Sequence, residues 1–183
     1  MTLRYLAAYR QIYLAIGSNI VPRKKYIVDC LVAIKNDFPQ GFIASCLFLT
    51  DPFSQVSQPP YYNCCVGFFS AISPQELLTY CGTLEKKLGR TRSDQRWQSR
   101  TIDIDILLMG DLQLNEPDLT IPHYDLVNRD FFLLPLMELD PILVYPKSGI
   151  RIDVILKEIS QEKRTNPLRL CNLMFEGGLY PSR

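Results

Sequence analysis

"SPQELLTYCGTLEKKLGRTRSDQRWQSRTIDIDILLMG", residues 73–110, holds a helix start, a helix end, a charged loop and a strand in that order. Ser73 and Glu76 form an S-x-x-E capping box, and Pro74 takes the first helical position, where its missing N–H has no partner to lose. Leu77, Cys81, Leu84 and Leu88 recur at helical spacing as one apolar stripe, and Gly89 is placed to end it. From residue 101 the period changes to two. Ile102, Ile104 and Ile106 then fall on one face of a strand, and Asp103 and Asp105 on the other.

Working outward, "YYNCCVGFFSA" (61–71) and "FIASCLFLT" (42–50) read as two strands of an antiparallel pair. The loop between them, from Asp51 to Pro60, is long enough to be functional rather than merely connecting. "IYLAIG" (12–17) is an earlier strand, ended by a turn at Gly17-Ser18-Asn19. Pro22 suits a first helical turn, and Ile27, Cys30, Leu31, Ile34 and Phe38 follow at helical spacing before Pro39-Gln40-Gly41 breaks the pattern. Residues 121–146 form a Pro-bounded, partly apolar region, and 151–159 a short helix candidate. The order strand, helix, two strands, helix, strand reads as an α+β fold, a mainly antiparallel sheet with helices packed on it.

With 183 residues, 47% of them hydrophobic, the chain can bury one good core. One domain over 1–183 is expected, with an N-terminal extension at 1–11 and a C-terminal tail at 160–183. Lys+Arg 20 against Asp+Glu 19 leaves a formal charge of +1, so nothing global draws the chain to nucleic acid or to a membrane, and a monomer is expected. The six cysteines show no CxxC pair and mostly sit in apolar runs, which points to buried thiols in a reducing cytoplasm.

Local charge is another matter. Asp103 and Asp105 stand roughly 6.5–7 Å apart at Cα on one strand face, close enough to share hard cations. Mg²⁺ prefers one or two carboxylates plus phosphate oxygens and water, so Asp-x-Asp suggests a metal delivered with a nucleotide. The adjacent arginines match phosphate oxygens with planar forks. Each feature alone is also what a solvated edge strand and a solvated loop look like; their adjacency favours a polyanion with bound metal. His123 is the only histidine, which excludes HExxH and Cys₂His₂ zinc sites, and there is no Walker A or G-x-G-x-x-G sequence.

The residues resemble the family of 6-hydroxymethyl-7,8-dihydropterin pyrophosphokinases, which move a diphosphate from ATP to a pterin alcohol. The resemblance runs from "YLAIGSN" (13–19) through "YYN" (61–63), "LEKKLGRTRSDQRW" (84–97) and "RTIDIDIL" (100–107) to "PHYDLVNRDFFLLPLMEL" (122–139). It implies an α+β sandwich of ferredoxin-like type, and that Asp103 and Asp105 hold two Mg²⁺ ions bridging the ATP phosphates. It implies catalytic roles for Arg90, Arg92 and Arg100 beside them. Glu85, Arg92, Trp97, Arg100, Ile106, His123, Tyr124 and Arg129 are implied as the ATP site. Tyr61 and Phe131 would sandwich the pterin, Asn63 would read its edge, and Thr50 would add hydrogen bonds.

Two departures from the family's pattern stand out. Gln98-Ser99 replaces a usual Gly-Pro, removing a hinge and a φ-locked turn, and Thr50-Asp51-Pro52 replaces Thr-Pro, adding a charge near the pterin. A homologue that binds ATP or pterin without turnover would also carry such changes. Arg90–Arg100 with Trp97 could serve as a stacking platform for single-stranded nucleic acid, against which Asp103 and Asp105 would repel phosphates unless metal were present.

Overall fold

The computed structural model describes residues 9–52, 57–91 and 99–170. The chain runs β1 (Arg10–Ser18), α1 (Arg23–Asp37), β2 (Ile43–Ala44), β3 (Phe48–Thr50), β4 (Tyr61–Ser70), α2 (Pro74–Lys87) and β5 (Asp103–Met109). It continues through β6 (Leu114–Glu116), β7 (Leu119–Ile121), α3 (Asp130–Leu139), β8 (Val144–Tyr145), β9 (Ile150–Arg151), α4 (Ile152–Glu158) and β10 (Leu168–Arg169). Strand β1 lies between β4 and β5 and is antiparallel to both; β4 carries β2 and β3 along its other edge, and β10 adds to β3. The order β3-β4-β1-β5 is the second-third-first-fourth arrangement of a ferredoxin-like βαββαβ chain.

Alternation along the strands divides the core in two. Ile12, Leu14 and Ile16 of β1 and Ile104 and Ile106 of β5 face α1 and α2, where Ile27, Leu31, Ile34, Leu77 and Cys81 meet them. Each fully buried Ile or Leu of this set contributes about 2 kcal/mol of transfer free energy. Phe38, just past α1, stacks on Phe68 with ring centroids 4.7 Å apart. On the opposite face Tyr13, Ala15, Cys65, Leu107 and Leu108 lie beneath Phe132, Leu133 and Leu136 of α3 and Ile152 of α4. A β-bulge makes this possible: Tyr13 pairs with Leu108 but Leu14 with Ile106, so Leu107 is an extra residue and both leucines turn toward α3.

Several expectations are corrected. Gly17 and Ser18 are the end of β1 rather than a turn, because Gly17 pairs with both Asn63 and Asp103 across the sheet. Residues 10 and 11, expected in the N-terminal extension, pair with Ser70 and Phe69. The stretch 42–50 is two short strands, since the Ser45 hydroxyl accepts from Cys65 N–H at 2.9 Å in place of a backbone carbonyl and interrupts the ladder. Helix α3 was not foreseen within 121–146 because Pro135 sits inside it. The described part of the tail is ordered into the sheet as β10.

Candidate active site

The alternation that buries the isoleucines of β5 turns Asp103 and Asp105 to the α3 face of the sheet. Their neighbours on β1 are small. Gly17 pairs with Asp103 and Ala15 with Asp105, which leaves room above the carboxylates. Across β1, Gly17 also pairs with Asn63 of β4, and a Cβ at Gly17 would lie 2.7 Å from the Asn63 Oδ1. Glycine is therefore required here by close approach rather than by a turn. The resulting cleft has a volume of about 470 Å³ and is walled by the loop after β3, by β4, by Arg100 and by residues 123–132.

The end of α2 builds the first side. Gly89, at φ +86°, closes a Schellman turn in which Gly89 N–H donates to Lys86 C=O at 3.1 Å and Arg90 N–H to Glu85 C=O at 3.0 Å. The turn aims the Arg90 guanidinium at the carboxylates of Glu85 and Asp103, with both of which it pairs. Glu85 is 5% exposed and also accepts from Ile104 N–H at 2.8 Å, which ties α2 to β5. Burial pushes the Glu85 carboxyl up, against the pull of Arg90. Arg100 pairs with the other oxygen of Asp103.

Asn19, absent from the site residues expected from the sequence, organises the loops above. Its Oδ1 accepts from Arg100 N–H at 2.7 Å and its N–H donates to Arg100 C=O at 3.2 Å. Its Nδ2 donates to Gln58 Oε1, Pro59 C=O and Ser99 Oγ at 3.2–3.3 Å. Ser99, which stands where a proline was expected, is thus held by a hydrogen bond instead of a fixed φ. Asn19 is 1% exposed, and these bonds satisfy its buried amide.

The opposite wall carries His123, Tyr124, Arg129 and Phe131. His123 N–H donates to Leu107 C=O at 3.0 Å, at the bulge, which sets the ring beside Asp105 with Nε2 3.8 Å from Oδ1. Asp125 N–H donates to His123 Nδ1 at 3.2 Å, so the neutral ring carries its proton on Nε2, facing Asp105. Burial, with Arg129 nearby, pushes the His123 pKa down to about 4. Arg129 Nε donates to Asp125 at 2.6 Å, and its guanidinium lies 5.2 Å from the Phe132 ring centre. Burial and the neighbouring Asp103 push the Asp105 carboxyl up, although 33% of its side-chain surface stays open to the cleft.

The remaining expected residues line the same cleft. Asn63 Nδ2 donates to Thr50 Oγ1 at 2.7 Å, Tyr61 Oη donates to Gln58 Oε1 at 2.9 Å, and Phe131 meets Phe132 edge-on at 4.8 Å. Asp51 and Pro52 line the cleft as well. The Ile106 side chain, expected in the ATP site, lies instead on the far face of the sheet, 4% exposed in the α1–α2 core and outside the cleft. Arg92 and Trp97 lie outside the described residues.

Two carboxylates on one strand face, one of them raised in pKa by burial and by its neighbour's charge, are a donor set that suits a hard metal arriving with its own oxygens. Among the described residues no group of three His, Cys, Asp or Glu could hold a metal by itself. The cleft thus brings carboxylates flanked by arginines together with aromatic and amide groups.

Residues 13–141 match the family model described as 7,8-dihydro-6-hydroxymethylpterin-pyrophosphokinase. The chain is 35% identical over 158 residues to a 2-amino-4-hydroxy-6-hydroxymethyldihydropteridine pyrophosphokinase of Haemophilus influenzae, covering 85% of this chain and 98% of that one. It is 36% identical over 138 residues to the Pseudomonas aeruginosa enzyme of the same name, covering 75% and 85%. Among solved structures, the Plasmodium falciparum HPPK-DHPS wild type with pteroate superimposes with a TM-score of 0.63 at 14% identity. That match covers 82% of this chain and 42% of the other, a likeness of fold.

Proposed function

Because the chain belongs to the 7,8-dihydro-6-hydroxymethylpterin-pyrophosphokinase family, we infer that it is a diphosphokinase of folate synthesis, transferring diphosphate from ATP to 6-hydroxymethyl-7,8-dihydropterin and releasing AMP. The observation that carries the site assignment is the juxtaposition of Asp103 and Asp105, flanked by Arg90 and Arg100, with Tyr61, Asn63 and Phe131 in one cleft.

In this reading the flat pterin enters between Tyr61 and Phe131, and the Asn63 amide, braced by Thr50, hydrogen-bonds its edge. The ATP phosphates take the arginine-rich end. Arg100 and Arg129 line the cleft there, and Arg90 stands behind Asp103. Bound Mg²⁺, held by Asp103 and Asp105, would supply charge neutralisation at the phosphate oxygens. The hydroxymethyl oxygen attacks the β-phosphorus in line as the bond from that phosphorus to the α-phosphate oxygen breaks; AMP leaves, the alcohol proton passes to solvent, and the protein's share is position and fixed charge rather than covalent chemistry. His123 presents Nε2–H as a neutral donor. Arg100 keeps one nitrogen on Asp103 while presenting others to phosphate, and Arg90 stays on Glu85 and Asp103, so the charges remain paired when phosphate arrives. The whole of 1–183 serves as one catalytic domain, acting on small molecules as a monomer in the cytoplasm; among the described residues no helix is long and apolar enough to cross a membrane.

The test is AMP formation from ATP and Mg²⁺ with and without the pterin alcohol. Pterin-dependent AMP in equal amount to the pterin diphosphate is expected. ADP as the product, or AMP independent of pterin, would overturn the reading.

Gly17→Ala gives a sharper check on the pterin end. The new methyl displaces the Asn63 amide and breaks its bond to Thr50. The KM for pterin is expected to rise about tenfold with kcat held within about threefold, the mark of lost binding common to ground and transition states. An unchanged KM in steady-state assays would mean that Asn63 does not read the substrate.

A further inference from the structure

The tail does more than close the sheet. After α4 and a short 3₁₀ turn at Gln161–Lys163, the chain crosses between Asp130 of α3 and Asp51, beyond β3, and enters β10. At the crossing Thr165, 3% exposed, uses all three of its polar groups. Its N–H and its hydroxyl donate to the two oxygens of Asp130 at 2.9 and 2.7 Å, and its carbonyl accepts from Asp51 N–H at 3.0 Å. Leu170 N–H then donates to Leu47 C=O at 2.8 Å, and Arg169 pairs with Glu138, whose other oxygen accepts from Cys46 N–H at 2.7 Å.

These contacts join two walls that the sequence keeps far apart. Asp130 is the first residue of α3, 2% exposed, and its neighbours Arg129 and Phe131 line the cleft. Asp51 follows Thr50, which braces Asn63. A carboxylate in the first turn of α3 favours the helix, and the same carboxylate is fastened to the tail. Thr165 therefore adds a clasp between Phe131 on one side and Thr50, Asn63 and Tyr61 on the other, beyond the packing of α3 on the sheet and the Glu138–Cys46 hydrogen bond.

We propose that Thr165 and Asp130 are positioning residues that set the width of the aromatic gap, making the tail segment 164–170 a determinant of affinity for the flat substrate. Neither side chain is among those lining the cleft, so they act through Phe131 and the Thr50–Asp51 backbone. This rests on the diphosphokinase reading above. It also accounts for Asp51, whose backbone N–H is committed to the strap.

Thr165→Val keeps shape and removes the hydroxyl, Thr165→Ser keeps the hydroxyl, and Asp130→Asn keeps one acceptor oxygen. Steady-state kinetics on the full chain, with melting curves alongside, should show Thr165→Val raising the pterin KM about five- to tenfold while the ATP KM and kcat stay within about twofold. Thr165→Ser should restore the pterin KM to within about twofold, and Asp130→Asn should fall between them. A lower melting temperature for Thr165→Val with an unchanged pterin KM would reduce the strap to a structural clasp and overturn the proposal. So would an equal loss in Thr165→Ser, or equal rises in both KM values. If Thr165→Val does not fold, Asp130→Asn decides on the same readouts. Wild-type protein that makes no pterin-dependent AMP would instead remove the parent reading, a result the first assay shows before any variant is made.

Discussion

Replacing Asp103 with alanine is expected to cut pterin-dependent AMP formation by at least about a thousandfold, a loss of about 4 kcal/mol in transition-state stabilisation. The residue has two functions that the geometry joins. Each of its oxygens is held by a different arginine, Arg90 through one and Arg100 through the other, and it is paired across the sheet with Gly17, at the level of Asn63. Removing it takes one of the two carboxylates that would hold metal, releases the Arg100 guanidinium and leaves Arg90 paired with Glu85 alone. The pterin end should survive, because Asn63, Thr50 and Tyr61 take their hydrogen bonds from one another and from Gln58. Pterin affinity measured by equilibrium binding should hence stay within about threefold of wild type while turnover disappears, the separation expected when an interaction is made only in the transition state. Asp103→Asn distinguishes size from charge and should be as inactive as the alanine variant. A variant that kept a tenth of the wild-type rate would mean that the carboxylate is only a clamp for arginines.

Asp105 should be nearly as sensitive for a different reason. Its carboxyl is raised by burial and by Asp103, and its nearest charged candidate, His123, is held neutral at pH 7 by a pKa near 4. A cation at this position relieves a repulsion that the folded chain already contains, so chelation should remove activity and restored Mg²⁺ should return it.

Much of this was legible because the chemistry is carried by a regular element. The two-residue period of β5 puts both aspartates on one face and both isoleucines in the core, and the capping box and Gly89 fix the helix that delivers Glu85 and Arg90. The same period shows that the Ile106 side chain faces the core, a consequence masked by assigning it to the nucleotide from resemblance. What could not be read is whatever depends on contact across the sheet. Gly17 looked like a turn former because local propensity cannot register the Asn63 amide packed over it. Asn19 and Thr165 are ordinary polar residues in sequence; their importance comes from partners 39–81 and 35–114 positions away. Helix α3 was hidden by Pro135, whose lost hydrogen bond is outweighed by burial of Phe132, Leu133 and Leu136.

Arg100→Lys is expected to lower kcat about a hundredfold or more, worth about 3 kcal/mol, with the pterin KM within about threefold of wild type. The backbone of Arg100 is gripped from both sides by Asn19, so the stem of the side chain starts from a fixed point. From there the planar fork can keep one nitrogen on Asp103 while presenting others to a phosphate oxygen, which a single ammonium cannot do. Lysine keeps the charge and should retain most of the ATP affinity; what it loses is the simultaneous engagement of carboxylate and phosphate that holds the reacting groups in line. Arg100→Ala should be worse in both kcat and ATP affinity, and added guanidinium ion should recover part of its rate, since the vacated space is bounded by Asp103. If the lysine variant turned over at half the wild-type rate, a point charge would suffice at this position, and the fork geometry imposed by Asn19 would have no catalytic consequence.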